Sequence, residues 1–106
     1  MKFAVRKISP AEADMLKAAA WYDEQQPGLG DAFLDDVEAA IKLLAINPLL
    51  YAVRFADIRC IRPKRFWEYG VFYRIAGAEV WVLAIQHGAR HPRWLLERSR
   101  RFSGTS

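Results

Sequence analysis

Cysteine is almost missing from this chain. Cys60 stands alone, which excludes an internal disulfide and points to a reducing compartment, the cytoplasm. Within Ile58-Arg59-Cys60-Ile61 it reads as a small core residue rather than a nucleophile. Histidine is nearly as scarce. His87 and His91 lie close together with no Cys or carboxylate at ligand spacing, so the sequence draws no metal constellation and implies no metal or cofactor. No glycine-rich loop suits a phosphate, because Gly28-Leu29-Gly30 has no strand before it. No apolar run approaches a membrane span, and residues 1–7 lack the uninterrupted apolar stretch of a secretory signal. The expectation is a cytoplasmic protein with no membrane partner.

Acid is scarce in the second half. Residues 1–53 hold five Lys/Arg and eight Asp/Glu, a net of −3, whereas residues 54–106 hold eleven and four, a net of +7. Such a surplus suits an anionic partner, whether nucleic acid, a nucleoprotein machine or an acidic protein, and it equally describes a solvated basic face. At 106 residues the chain is one domain, and a domain of that size buries roughly two-thirds of its unfolded surface, enough for a core without staples.

What is present is an alternation of patterns. Residues 2–8 read as a strand, stopped by Ser9-Pro10, with Glu12 at capping-box spacing from Ser9. A first helix is predicted from about Pro10 to Gln25, ended by Pro27-Gly28-Leu29-Gly30. Trp21 and Tyr22 near its end read as core or staple residues. The second helix is the clearest element: Leu29, Phe33, Val37, Ala40, Ile41 and Leu44 form one stripe, while Asp31, Asp35, Asp36 and Glu38 load its early turns. So short a connection requires an antiparallel helical hairpin. Leu49 to Ala56 reads as a connection, Ile58 to Arg62 as a strand, Pro63-Lys64-Arg65 as a basic turn and Tyr69 to Ile75 as a strand. Ala76-Gly77-Ala78 then leads into Val80-Trp81-Val82-Leu83-Ala84-Ile85, an apolar run that belongs inside a sheet rather than at its edge. It stops at Gln86-His87-Gly88-Ala89-Arg90, which delivers polar groups to the rim of the sheet. A short amphipathic helix is predicted from His91 or Pro92 to about Arg101, and residues 102–106 read as a loose tail. The fold class is α+β, in the order β-α-α-β-β-β, with a helical hairpin on a small, mainly antiparallel sheet and a short C-terminal helix.

Several of these segments together resemble a known family. Ala20-Trp21-Tyr22-Asp23-Glu24, Pro27-Gly28-Leu29-Gly30-Asp31-Ala32-Phe33, Ile46-Asn47-Pro48-Leu49-Leu50-Tyr51, Tyr69-Gly70-Val71-Phe72-Tyr73-Arg74 and Val82 to Pro92, with Trp94 and Arg98, resemble the RelE/ParE superfamily of toxins from bacterial type II toxin-antitoxin modules. The helix-turn signature and the closing His-Gly-x-Arg-x-Pro resemble the ParE branch, the plasmid stabilisation proteins. Family members commonly carry a Phe-Pro-Tyr-like segment where this chain has Phe66-Trp67-Glu68-Tyr69, one residue longer and without the proline.

The resemblance implies a growth-inhibiting toxin held silent in a hetero-oligomer by an acidic, ParD-like antitoxin, a segment of which folds into a groove between hairpin and sheet. On the ParE branch the target is DNA gyrase, blocked by binding rather than catalysis, with Arg90, Arg93, Trp94, Arg98, Arg100 and Arg101 as contacts, since Arg and Trp dominate interface energetics. On the RelE branch the chain is a ribosome-dependent mRNA endonuclease, which needs a proton acceptor for the 2′-hydroxyl and cations on the developing phosphorane. Lys64, Arg65, Arg74, His87 and Arg90 are the candidates, with Glu68 or His91 as additions near the rim. Histidine is the side-chain type best suited to proton transfer near neutral pH, yet as a strand-end residue His87 also reads as structural, and Arg74 as a solvated strand position. A third expectation is an inactive module kept only as an antitoxin-bound stabiliser. The gyrase reading is preferred.

Overall fold

The computed structural model describes residues 2–88 and 93–102. Strand β1 (Ala4–Lys7) leads into helices α1 (Ser9–Gln25) and α2 (Leu29–Leu44). A single 3-10 turn (Pro48–Leu50) follows, then β2 (Val53–Phe55), β3 (Ile58–Ile61), β4 (Tyr69–Ala76), β5 (Glu79–His87) and α3 (Arg93–Phe102). The five strands form one sheet in the order β1-β5-β4-β3-β2. Only β1 and β5 run parallel; the other neighbours are antiparallel. The apolar run of β5 lies inside the sheet, as its composition requires, with Val82, Leu83 and Ala84 wholly buried.

The α2 stripe does what its spacing predicts. Phe33, Val37, Ala40, Ile41 and Leu44 are buried against Ala11, Met15, Ala18 and Ala19 of α1. Small residues on α1 let the helices approach closely. At Gly30 the approach is so tight that a Cβ would lie 2.4 Å from the Ala19 carbonyl oxygen. Gly28 precedes α2 in the left-handed region at φ 90°. The start of α2 is satisfied from the neighbouring helix, since Asp23 Oδ1 accepts the Gly30 N–H at 2.8 Å and the Gly28 N–H at 3.2 Å.

Four expectations need correction. The stretch expected to be plain connection contains the 3-10 turn and a fifth strand, β2, at the sheet edge. Its hairpin to β3 turns through Ala56 at φ 53°, without the Gly or Asn that advertises such a turn. Ser9 is already helical and makes no capping bond; the Ile8 carbonyl instead accepts the N–H groups of Ala11 and Glu12. The Glu12 carboxylate turns to Lys7 at 3.5 Å. Trp21 is not core but 53% exposed. Finally, Phe102 is the last residue of α3 rather than the start of a tail, and residues 103–106 lie outside the described residues.

Where β1 ends, β5 continues with an open edge, and two helices close it. The last β1 contact is the Ile8 N–H to the Val82 carbonyl at 3.1 Å. Beyond it, Asp14 Oδ2 of α1 accepts the Ile85 N–H at 3.0 Å, and Arg98 Nη1 of α3 donates to the Leu83 carbonyl at 3.0 Å. Asp14 and Arg98 also pair at 3.0 Å. This bracket, with buried Leu95, fastens α3 to the sheet. Bridging two backbone groups with one ion pair satisfies polar atoms that would otherwise be costly to leave unpaired.

Candidate functional site

The loop end of the helical hairpin opens a cleft of about 890 Å³ between α1, the basic turn and the ends of β4 and β5. Its floor is aromatic. Tyr22 meets Phe66 edge-on at 4.9 Å and Tyr69 at 6.0 Å, and behind them Phe33 packs on both Tyr22 and Tyr69. Trp21 stands edge-on to Tyr22 at 5.1 Å and forms an exposed wall. Burial pushes the Tyr22 phenol upward, with Tyr69 and Glu68 adding to the shift; burial and Glu68 do the same to Tyr69. Both phenols are therefore neutral hydroxyl groups at physiological pH.

The rim is charged. Lys17, Arg65 and His87 line the cleft together with Asp14 and Glu68. The basic turn is held in place by α2, because Asp36 Oδ2 accepts the N–H groups of both Arg65 and Phe66 at 2.8 Å. The Arg65 guanidinium lies over the Phe66 ring at 5.2 Å. His87 ends β5 and meets Tyr69 edge-on at 5.2 Å, and the Gly88 N–H closes onto the Glu68 carbonyl at 2.8 Å. Asp14 is spent on the α3 bracket, so Lys17 and Arg65 face the cleft without a carboxylate partner among the described residues. Rigid aromatic surface beside free cations suits an apolar, acidic polypeptide segment.

The candidate cations scatter. Arg65 and His87 share the cleft. Lys64 is exposed in the basic turn and does not line it. Arg74 sits at the other end of β4, where Nη2 pairs with Asp57 at 3.2 Å and Nη1 reaches Ser99 Oγ at 3.4 Å. Arg98 is engaged in the bracket and stacks over Trp94 at 4.8 Å, while Arg100 is exposed. Arg93 and Arg101 belong to α3, but their side chains lie outside what is described, and Arg90 and His91 lie outside the described residues altogether. Cys60 is half-buried, and burial pushes its thiol up against the opposing pull of Arg62 and Arg54. That fits the small packing residue expected of it.

A protein-family comparison decides the affiliation: the model described as the ParE toxin of the type II toxin-antitoxin system parDE matches residues 8–92. The chain belongs to this family. It is a ParE-type toxin of a type II toxin-antitoxin system. Among solved structures it is similar to the chromosomal ParDE toxin-antitoxin system of P. aeruginosa, with a TM-score of 0.74 and 18% identity, covering 83% of this chain and 98% of that one. It is also similar to the RelBE2 toxin-antitoxin complex of Mycobacterium tuberculosis, with a TM-score of 0.57 and 22% identity over 82% and 99% of the two chains. At those identities the likeness establishes the fold. No curated protein sequence matches the chain.

Sequence reasoning missed the α1 side of the cleft. Asp14, Lys17, Ala18, Trp21 and Tyr22 follow the i, i+3, i+4, i+7, i+8 spacing of one helix face. An aromatic pair ending a face that also carries Asp14 and Lys17 was the available signal.

Proposed function

We propose that this ParE-family toxin arrests growth by binding DNA gyrase, and that an acidic antitoxin silences it by docking an apolar segment in the cleft of Tyr22, Phe66 and Tyr69, with carboxylates on Lys17 and Arg65. The observation that carries the binding reading over the catalytic one is the dispersal of the cations. A nuclease needs its proton acceptor and its phosphorane-stabilising cations within reach of one phosphate. Here Arg74 is committed to Asp57 and Ser99 at the far end of β4 from His87. Of the α3 side chains offered to a target, Arg98 and Trp94 hold the helix in place, which leaves Arg100 as the exposed cation among those described.

Inducing the chain without an antitoxin, while following DNA-damage signalling and transcript integrity in one culture, tests this. Strand breaks with intact mRNA are expected. Codon-dependent mRNA cleavage with undamaged DNA would replace the gyrase reading with a ribosome-dependent endonuclease, and undisturbed growth would leave an antitoxin-bound stabilising module.

A further inference from the structure

The opposite, open end of the hairpin carries a surface unlike the cleft. Of the eight large apolar side chains exposed among the described residues, five fall within eleven positions: Leu43, Ile46, Leu49, Leu50 and Val53. They span the last turn of α2, the 3-10 turn and the edge strand β2. The backbone beneath them is tied down from the sheet. The Tyr73 hydroxyl donates to the Pro48 carbonyl at 2.5 Å, and Arg59 Nη1 donates to the carbonyls of Tyr51 at 2.6 Å and Leu49 at 3.3 Å. A clustered, preorganised and exposed aliphatic shelf marks an interaction surface, because ordering costs on association are already met.

Charge selects the occupant. Residues 39–56 contain no Asp or Glu, and their only charged side chains are Lys42 and Arg54. The flanking acids are both engaged, Glu38 with Lys7 at 2.6 Å and Asp57 with Arg74 at 3.2 Å. A two-fold contact between copies would bring Lys42 and Arg54 against each other, which like-charge repulsion disfavours. An acidic partner meets no such cost. The shelf also adjoins the end of α3, because Arg74 links Asp57 in the β2–β3 turn to Ser99 beside Arg100.

We propose that this shelf is the apolar centre of the surface by which the toxin grips its protein target, with Lys42, Arg54 and Arg100 as its cationic rim and an acidic apolar patch on the target as its occupant. The proposal rests on the toxin reading above. It separates the two functions spatially, with the antitoxin at the loop end and the target at the open end.

The test expresses the full chain with Ile46→Asp and Leu50→Asp together, and separately with Lys42→Glu and Arg54→Glu. Ile46 and Leu50 are 63% and 66% exposed, so unchanged melting is expected, and the charge variants avoid any change of apolar surface. In both, the inducer level needed for half-maximal growth arrest should rise at least about tenfold, as for loss of an interface centre. Wild-type chain should retain purified DNA gyrase on a sensor surface and the variants should lose it in parallel. Folded variants that arrest growth as wild type does would overturn the shelf while leaving the toxin reading intact. A wild type that never arrests growth would remove both. Three further outcomes would also overturn it. In the first, light scattering shows a wild-type dimer that the variants dissolve. In the second, the variants escape antitoxin rescue while keeping full toxicity. In the third, arrest falls while gyrase retention by the folded variants is unchanged.

Discussion

The two ends of the helical hairpin solve different problems with different residues. At the loop end, acids are used as backbone acceptors: Asp23 caps α2, Asp36 holds the Arg65 turn and, further back along α1, Asp14 closes the β5 edge. Aromatic rings, and cations with no carboxylate partner among the described residues, are left facing the cleft. At the open end residues 39–56 hold no acid, and a phenol and a guanidinium do the anchoring from the sheet while aliphatic side chains face outward. A domain this small has one core, and both ends lean on it. The side chains each end leaves over, once its backbone is satisfied, set the partner that end can take.

Breaking the loop end has the largest expected effect. Gly30→Ala places a Cβ 2.4 Å from a backbone carbonyl that cannot step aside, and the helices must part. A loss on the order of 3 kcal/mol is expected, a melting point lower by roughly 15 °C in a thermal scan.

The open end is broken by alkali. Burial, partly opposed by Arg59, pushes the Tyr73 phenol up to about 12. Its folded-state pKa therefore lies above its ordinary value, so the native state holds a proton that the unfolded chain releases first. Stability is full below pH 10 and falls between pH 10 and about 12, by roughly 2 kcal/mol for this group. Lys7 adds to the fall with the same sign: burial works against its charge, but Glu38 and Glu12 outweigh it and raise its pKa above 10.5. Chemical denaturation across that range should show the decline, and Tyr73→Phe should flatten part of it at the cost of the Pro48 bond.

Asp14→Ala removes an acceptor from both Ile85 and Arg98 and should cost about 2 kcal/mol. Hydrogen exchange should accelerate at the Ile85 amide and along α3 while the α2 amides stay protected. Uniform acceleration would mean that the bracket supports the whole domain rather than one helix. The smallest effect is expected on the shelf, where Leu50→Ser should shift stability by no more than about 0.5 kcal/mol. A larger loss would make the shelf part of the core and dissolve the contrast.

The elements were legible where one periodicity dominated. The α2 stripe and the apolar run of β5 were each long enough to have a single solution, and they carry the hairpin and the sheet. The edge strand β2 was not legible, because it is three residues long and its turn uses Ala56 in a conformation usually left to glycine or asparagine. The cleft was half legible. Arg65, Glu68 and His87 stand out in sequence as ionisable residues beside turns, whereas Lys17 and Trp21 join them only through the tertiary approach of α1 to β4 and β5. The structural work of Asp14, Asp23 and Asp36 was hidden for the same reason. An acid on a helix looks like a dipole partner until the backbone it will accept from, as many as 71 residues away for Asp14, is placed beside it.

The measurement that bears most directly on this account is the toxicity of His87→Ala, expressed without an antitoxin and confirmed as folded. His87 lines the cleft and is exposed, so a chain that acts by gripping its target at the open end should arrest growth at an inducer level within about twofold of wild type. A folded His87→Ala chain that no longer arrests growth would make the cleft an active site and contradict the account.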